Sequence, residues 1–160
     1  MIILGIDPGT TRIGYGIIEK NKNVLRSLEY GIIKGNTRKD KLADLKNTAK
    51  FLDEIKEKYN PDISAIESLF FFKNQKTVMS VSEMRGALMM CLANLNIPVQ
   101  EYTPLQVKQA VSSYGRAGKD QVQRMVKLIL GLKEDITPDD AADGLAIAIC
   151  CANVIEYQQK

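Results

Sequence analysis

The sequence predicts an α/β fold, a mixed five-stranded sheet flanked by helices, and three observations carry that prediction. The chain opens on an unbroken apolar run, Ile2-Ile3-Leu4-Gly5-Ile6, that ends in Asp7-Pro8-Gly9. That is the pattern of a strand buried on both faces and stopped by a tight turn. Gly14 to Ile18 and Val24 to Ile33 then follow at antiparallel, hairpin-like spacing. Beyond them, segments of helical periodicity alternate with short apolar runs, as in sheets whose strands are joined by crossover helices.

Taken in order, Pro8 presets φ and Gly9 tolerates positive φ, which suits a type II turn between the first two strands. In the third strand Leu28, Tyr30 and Ile32 share one face, and Gly35-Asn36 closes it. From about Lys39 to Tyr59, Leu42, Leu45, Ala49, Leu52, Ile55 and Tyr59 recur at three- and four-residue spacing, an amphipathic helix that Asn60-Pro61 stops. Ile63 to Glu67 is a short buried strand, and the aperiodic Leu69 to Asn74 reads as a loop. A long helix spans about Gln75 to Asn96. Met79, Met89 and Met90 add a second apolar stripe to it, on a side suited to a partner subunit. Ile97 to Glu101 is the fifth strand, Pro104 opens a helix to about Ser113, and Tyr114 to Gly118 form a flexible turn. Lys119 to Leu130 is helical, and Thr137 is placed to cap a final helix running through Ile155.

At 160 residues and 45% hydrophobic content, one domain spanning 1–160 is expected. The net charge of +3 permits a nucleic-acid partner through a local basic face without requiring one. The chain contains no histidine, which removes the Ser-His-Asp arrangement and histidine-based zinc sites. Hydrolytic chemistry must then rest on carboxylates, lysines or metal ions. Cys91, Cys150 and Cys151 sit in apolar helical contexts, as small core residues of a reducing compartment do. With neither a leader-like segment nor an apolar run of spanning length, a cytoplasmic protein without membrane contact is expected.

Asp7 and Glu67 each end a strand, so parallel pairing of those strands would deliver both acids to one sheet edge. Asp140 and Asp143 are three apart on the last helix, where Ala141, Ala142 and Gly144 leave little bulk to hold that helix off the sheet. Each acid also has a plainer reading. Asp7 could accept hydrogen bonds from its own turn, and Asp140 could complete a capping box with Thr137. Asp143 lies beyond the first turn on an otherwise apolar face and needs a partner or a metal. Together the four acids have the character that a pair of Mg²⁺ ions requires.

The stretches Gly5-Ile6-Asp7-Pro8-Gly9-Thr10-Thr11 with Gly14-Tyr15-Gly16, Ala65-Ile66-Glu67, Val107-Lys108-Gln109, Gly118-Lys119-Asp120-Gln121-Val122 and Asp140-Ala141-Ala142-Asp143-Gly144-Leu145-Ala146 resemble the RuvC family of crossover junction endodeoxyribonucleases, the bacterial Holliday-junction resolvases. The resemblance covers almost the whole chain. It implies a ribonuclease H-like fold, a homodimer, and Mg²⁺-dependent paired nicking of four-way junction DNA, with two Mg²⁺ per site, Mn²⁺ as substitute and branch-migration machinery as a partner. It further implies that Asp7, Glu67, Asp140 and Asp143 are the metal-binding catalytic acids. Asp140 stands where some relatives carry His. Lys108 and Lys119 align with basic residues near the scissile phosphate, and Phe70 with a base-stacking aromatic.

Lys73, Lys76 and Arg116 join Lys108 and Lys119 as candidate phosphate clamps, although singly each could be an ordinary solvated charge. Phe70, Phe71 and Phe72 cannot all face one core from an extended loop, so core filling for two and base stacking for Phe70 divides them. Gly5-Ile6-Asp7 with Gly9-Thr10-Thr11 also resembles the phosphate-binding turn of actin-like ATPases and sugar kinases. Those proteins need a second such domain around the nucleotide. A non-catalytic nucleic-acid-binding scaffold and a related nuclease acting on RNA complete the alternatives.

Overall fold

The computed structural model describes residues 1–9, 12–35, 40–68 and 75–158, with the side chains of 75–77 and 156–158 left out of that description. Ten elements follow in the order β1 (Ile2–Asp7), β2 (Arg12–Asn21), β3 (Val24–Lys34), α1 (Lys41–Tyr59), β4 (Ile63–Glu67), α2 (Gln75–Asn94), β5 (Val99–Tyr102), α3 (Pro104–Ser112), α4 (Lys119–Ile129) and α5 (Asp139–Gln158). The strands form one sheet in the order β3-β2-β1-β4-β5. β1 pairs antiparallel with β2 and parallel with β4, so the sheet is mixed, as expected.

Two cores cover its two faces. On one, Ile3, Ile18 and Ala65 meet α3, α4 and α5 through residues such as Val107, Val126, Leu145 and Ile149. On the other, Leu4, Ile6, Ile17 and Ile66 meet α1 and α2 through Leu52, Ile55, Leu88 and Leu92. The alternation along β1 and β4 sorts these residues, because successive strand side chains point to opposite faces.

Helix α5 lies on the sheet with almost no side-chain layer beneath it. A Cβ on Gly16 would fall 2.7 Å from the Leu145 Cα, and one on Gly144 would fall 2.5 Å from the Tyr15 carbonyl carbon. Gly5 likewise faces the Gly144 carbonyl oxygen and Gly14 the Asp140 carbonyl oxygen. Ala141, Ala142, Ala146, Ala148 and Ala152 extend the small-residue character of this helix, all of them buried.

The structure departs from the sequence reading in four places. Helix α1 begins at Lys41 behind an Asp40 cap whose side chain accepts from the Ala43 N–H, and its buried face runs Asp44, Thr48, Leu52, Ile55. Leu42 is therefore left 70% exposed. A bulge in the β2–β3 pairing shifts the register so that Glu29 stands opposite Ile17 and Ser27 opposite Ile18. Leu28, the extra residue, turns to the α1 side while Tyr30 packs on the α5 side, so the two do not share a face. The fifth strand starts at Val99, after Asn96 in the left-handed region at φ 54°. Helix α5 starts at Asp139, with the Pro138 carbonyl accepting from the Ala141 N–H, so Thr137 is one residue too early to be its cap. Cys150 and Cys151 are buried free thiols, as expected, and Cys91 is half-buried.

The contact between α5 and the sheet generates a direct test. Gly144→Ala should lower the unfolding free energy by about 3 kcal/mol, because the added methyl meets rigid strand backbone with no side chain to move aside. Urea denaturation measures it, and a midpoint equal to wild type would refute the close packing.

Candidate metal centre

Asp7 and Glu67 are the last residues of β1 and β4, parallel neighbours with Ile6 opposite Ile66, so the two acids leave the same edge of the sheet one step later. Strand alternation turns both toward α5, the side on which Ile3 and Ala65 pack. The contact of α5 with Gly14 and Gly16 brings the opening turns of that helix onto this edge. There Asp7, Asp140 and Asp143 each offer a carboxylate oxygen, and these oxygens lie within 4.8 Å of one another. Glu67 joins Asp7 and Asp143 in lining a cavity of about 230 Å³, which Lys108 of α3 and Lys119 of α4 also line.

So many acids in so little water carry an electrostatic cost. Burial pushes the Asp7 carboxyl up to about 7, with Asp143 and Asp140 adding to the rise and Lys119 opposing it. Burial also raises Glu67 to about 7, helped by Asp7 and Asp143 and resisted by Lys108. Asp143 is raised by burial against the pull of Lys119. The Lys119 ammonium lies 3.4 Å from Asp139 and 3.6 Å from Asp143. Burial would lower its pKa, but these acids outweigh that effect and raise it.

The donor set fits a hard divalent cation: carboxylate oxygens only, mutually close, half-buried and short of positive charge. Of the residues singled out in the sequence, the structure thus draws Asp7, Glu67, Asp140, Asp143, Lys108 and Lys119 into one region. Arg116 is exposed in the α3–α4 turn and is not part of the cavity wall. Phe70 and Lys73 lie outside the described residues, as does the Lys76 side chain. Two contacts escaped the sequence reading. Arg12 places Nη1 3.9 Å from Asp140, and Asp139, which is not among the candidate acids, pairs with Lys119. A cation directly after the Asp7 turn was the available signal for the first.

Comparison with known proteins agrees with this geometry. The family model described as crossover junction endodeoxyribonuclease RuvC matches residues 3–151. A protein of that name from Petrotoga mobilis is 50% identical over 153 residues, covering 96% of this chain and 94% of its own. The solved structure of Thermus thermophilus RuvC superposes with a TM-score of 0.89 at 32% identity, over 99% of this chain and 97% of that one. The same protein in complex with a Holliday junction substrate gives 0.92 at 32% identity, over 99% and 96%.

The raised carboxyls set the pH dependence of stability. Asp7 and Glu67 keep protons in the folded state that the unfolded chain has already released, so metal-free protein loses stability as pH rises from about 4 to about 7 and levels off above. Melting in EDTA should show Asp7→Asn more stable than wild type near pH 8, by on the order of 2 kcal/mol, with the gain vanishing near pH 4. A variant no more stable at either pH would contradict the crowding of charge described here.

Proposed function

This chain belongs to the crossover junction endodeoxyribonuclease RuvC family, and from that premise we propose that it resolves four-way DNA junctions by paired symmetrical nicks, using Mg²⁺ held by Asp7, Glu67, Asp140 and Asp143. The observation that carries the reading is the convergence of the Asp7, Asp140 and Asp143 oxygens within 4.8 Å, beside Glu67. Bound there, a pair of Mg²⁺ ions, with Mn²⁺ as a substitute, supplies water activation and neutralisation of phosphate charge.

The chain's own residues do the rest. Asp7 and Glu67 project from rigid strand ends and are therefore fixed before substrate arrives, which lowers the reorganisation needed at the reacting phosphate. Lys119 holds Asp143 and Asp139 in place, and with Lys108 it presents positive charge to a phosphate entering the cavity. Arg116, Lys73 and Lys76 are assigned to more distant backbone contacts, and Phe70 to stacking on a base at the junction centre. The full span 1–160 acts as one nuclease domain, a division supported by the single sheet that all five strands share. Free thiols and a DNA substrate support a cytoplasmic location, and among the described residues no helix is long and apolar enough to cross a membrane. Branch-migration machinery is the partner expected to supply the junction.

Two symmetrical nicks call for two sites related by a twofold axis. Helix α2 supports that arrangement: Met79 and Met90 are 74% and 62% exposed, share a face with the open Gly86, and stand apart from Met89, which packs on the core. Met90→Glu should convert a dimer to a monomer in light scattering at micromolar concentration; an unchanged mass would move the interface elsewhere.

The decisive experiment incubates a labelled four-way junction and a linear duplex with Mg²⁺ or with EDTA. Junction nicks at symmetrical positions are expected only with Mg²⁺. Asp7→Asn and Glu67→Gln should each reduce cleavage by two to three orders of magnitude, on the order of an essential charge-stabilising group, while junction binding in EDTA persists. Metal-independent nicking, or full activity in either variant, would sink the assignment.

A further inference from the structure

We infer that Arg12 and Lys34 form a second basic contact on the flank of the acid cluster opposite Lys108 and Lys119, holding phosphates of the same DNA strand a few nucleotides from the cut. The inference rests on the proposed junction-cleaving function. Arg12 opens β2 and Lys34 ends β3, and the two stand directly opposite in the antiparallel register. Their neighbours Ile13 and Ile33 pack on the α1–α2 side, so Arg12 and Lys34 both turn to the α5 side, the one that carries the acids.

The fold itself gains little from this pair. Like charges directly opposite each other on adjacent strands repel. Arg12 reaches Asp140 only at 3.9 Å with 61% of its side chain exposed, the kind of ion pair that contributes little to stability. Lys34 is exposed and has no ion pair among the described residues. An anion lying across both would relieve the repulsion. Position supports a nucleic-acid strand as that anion. Asp7 stands opposite Gly14, so Arg12 lies roughly 7 Å beyond Asp7 along the strand direction, and β3 lies roughly 10 Å from β1 across the sheet. The span from Asp7 to Lys34 is thus about 12 Å, a distance that a few nucleotides of one strand bridge. Lys108 and Lys119 stand on the other side of the same acids, so a backbone crossing the cluster meets positive charge both before and after it. Arg12 is then a residue with two anionic partners, Asp140 in the free protein and a phosphate in the complex.

The test follows junction affinity by fluorescence anisotropy in EDTA across a KCl series, for wild type, Arg12→Gln, Lys34→Gln, the double variant, and the conservative Arg12→Lys and Lys34→Arg. Each Gln replacement should make the slope of log affinity against log salt shallower by about 0.9, and the double variant by about 1.8. The conservative variants should keep the wild-type slope, and Lys34→Gln should melt no lower than wild type. An unchanged slope in the double variant, or an equal loss in the conservative variants, would overturn the inference. Wild-type protein that binds and nicks the junction while the variant slopes stay put overturns this inference alone; wild-type protein that does neither overturns the functional reading with it.

Discussion

The site depends on backbone meeting backbone between α5 and the strands beneath it. A helix normally rides about 10 Å above a sheet on two layers of side chains. Here Gly5, Gly14 and Gly16 on the strands and Gly144 on the helix remove those layers at the crossing. Only that closeness lets Asp140 and Asp143, which sit early in the helix, come within reach of an acid at the end of β1. The glycines thus act at one remove from the chemistry, by fixing the height of the helix that carries half of the acids.

Bringing those acids together stores unfavourable charge, and the surroundings reveal how it is managed. Burial and mutual repulsion hold Asp7 and Glu67 near 7, far above an ordinary carboxyl. The cations nearby are peripheral: Lys119 is drawn to Asp139 and Asp143 on one side, Arg12 to Asp140 on the other. The acid cluster suits a small, strongly charged ion, and the proposed phosphate contacts lie on its flanks, the division of labour expected of a metal-dependent enzyme acting on phosphodiesters.

Much of this was legible in the amino-acid sequence, for identifiable reasons. The buried run Ile2 to Ile6 and the run Ile63 to Ile66 have no polar residue but Ser64 to confuse their period, so their ends, and hence Asp7 and Glu67, were placed correctly. The small residues around Asp143 announced a close approach that the structure contains. What escaped depended on neighbours distant in sequence. Asp44 and Thr48 carry no apolar signal, yet the fold buries them, Asp44 against Gly35 and Thr48 with its hydroxyl toward the Met84 sulfur, while Leu42 is left exposed. The bulge that separates Leu28 from Tyr30 leaves strict alternation intact in the sequence while breaking it in space. Arg12 carried no periodic signal at all, and its meaning comes from Asp140, far along the chain and adjacent only after folding.

The connection that leaves Glu67 ties the cutting edge to the proposed twofold axis. Seven residues separate Glu67 from Gln75, where α2 and its exposed methionine face begin. Ile66 of β4 shares one packed core with Leu88 and Leu92 of α2, so the proposed twofold contact through α2 would fix the separation of the two acid edges.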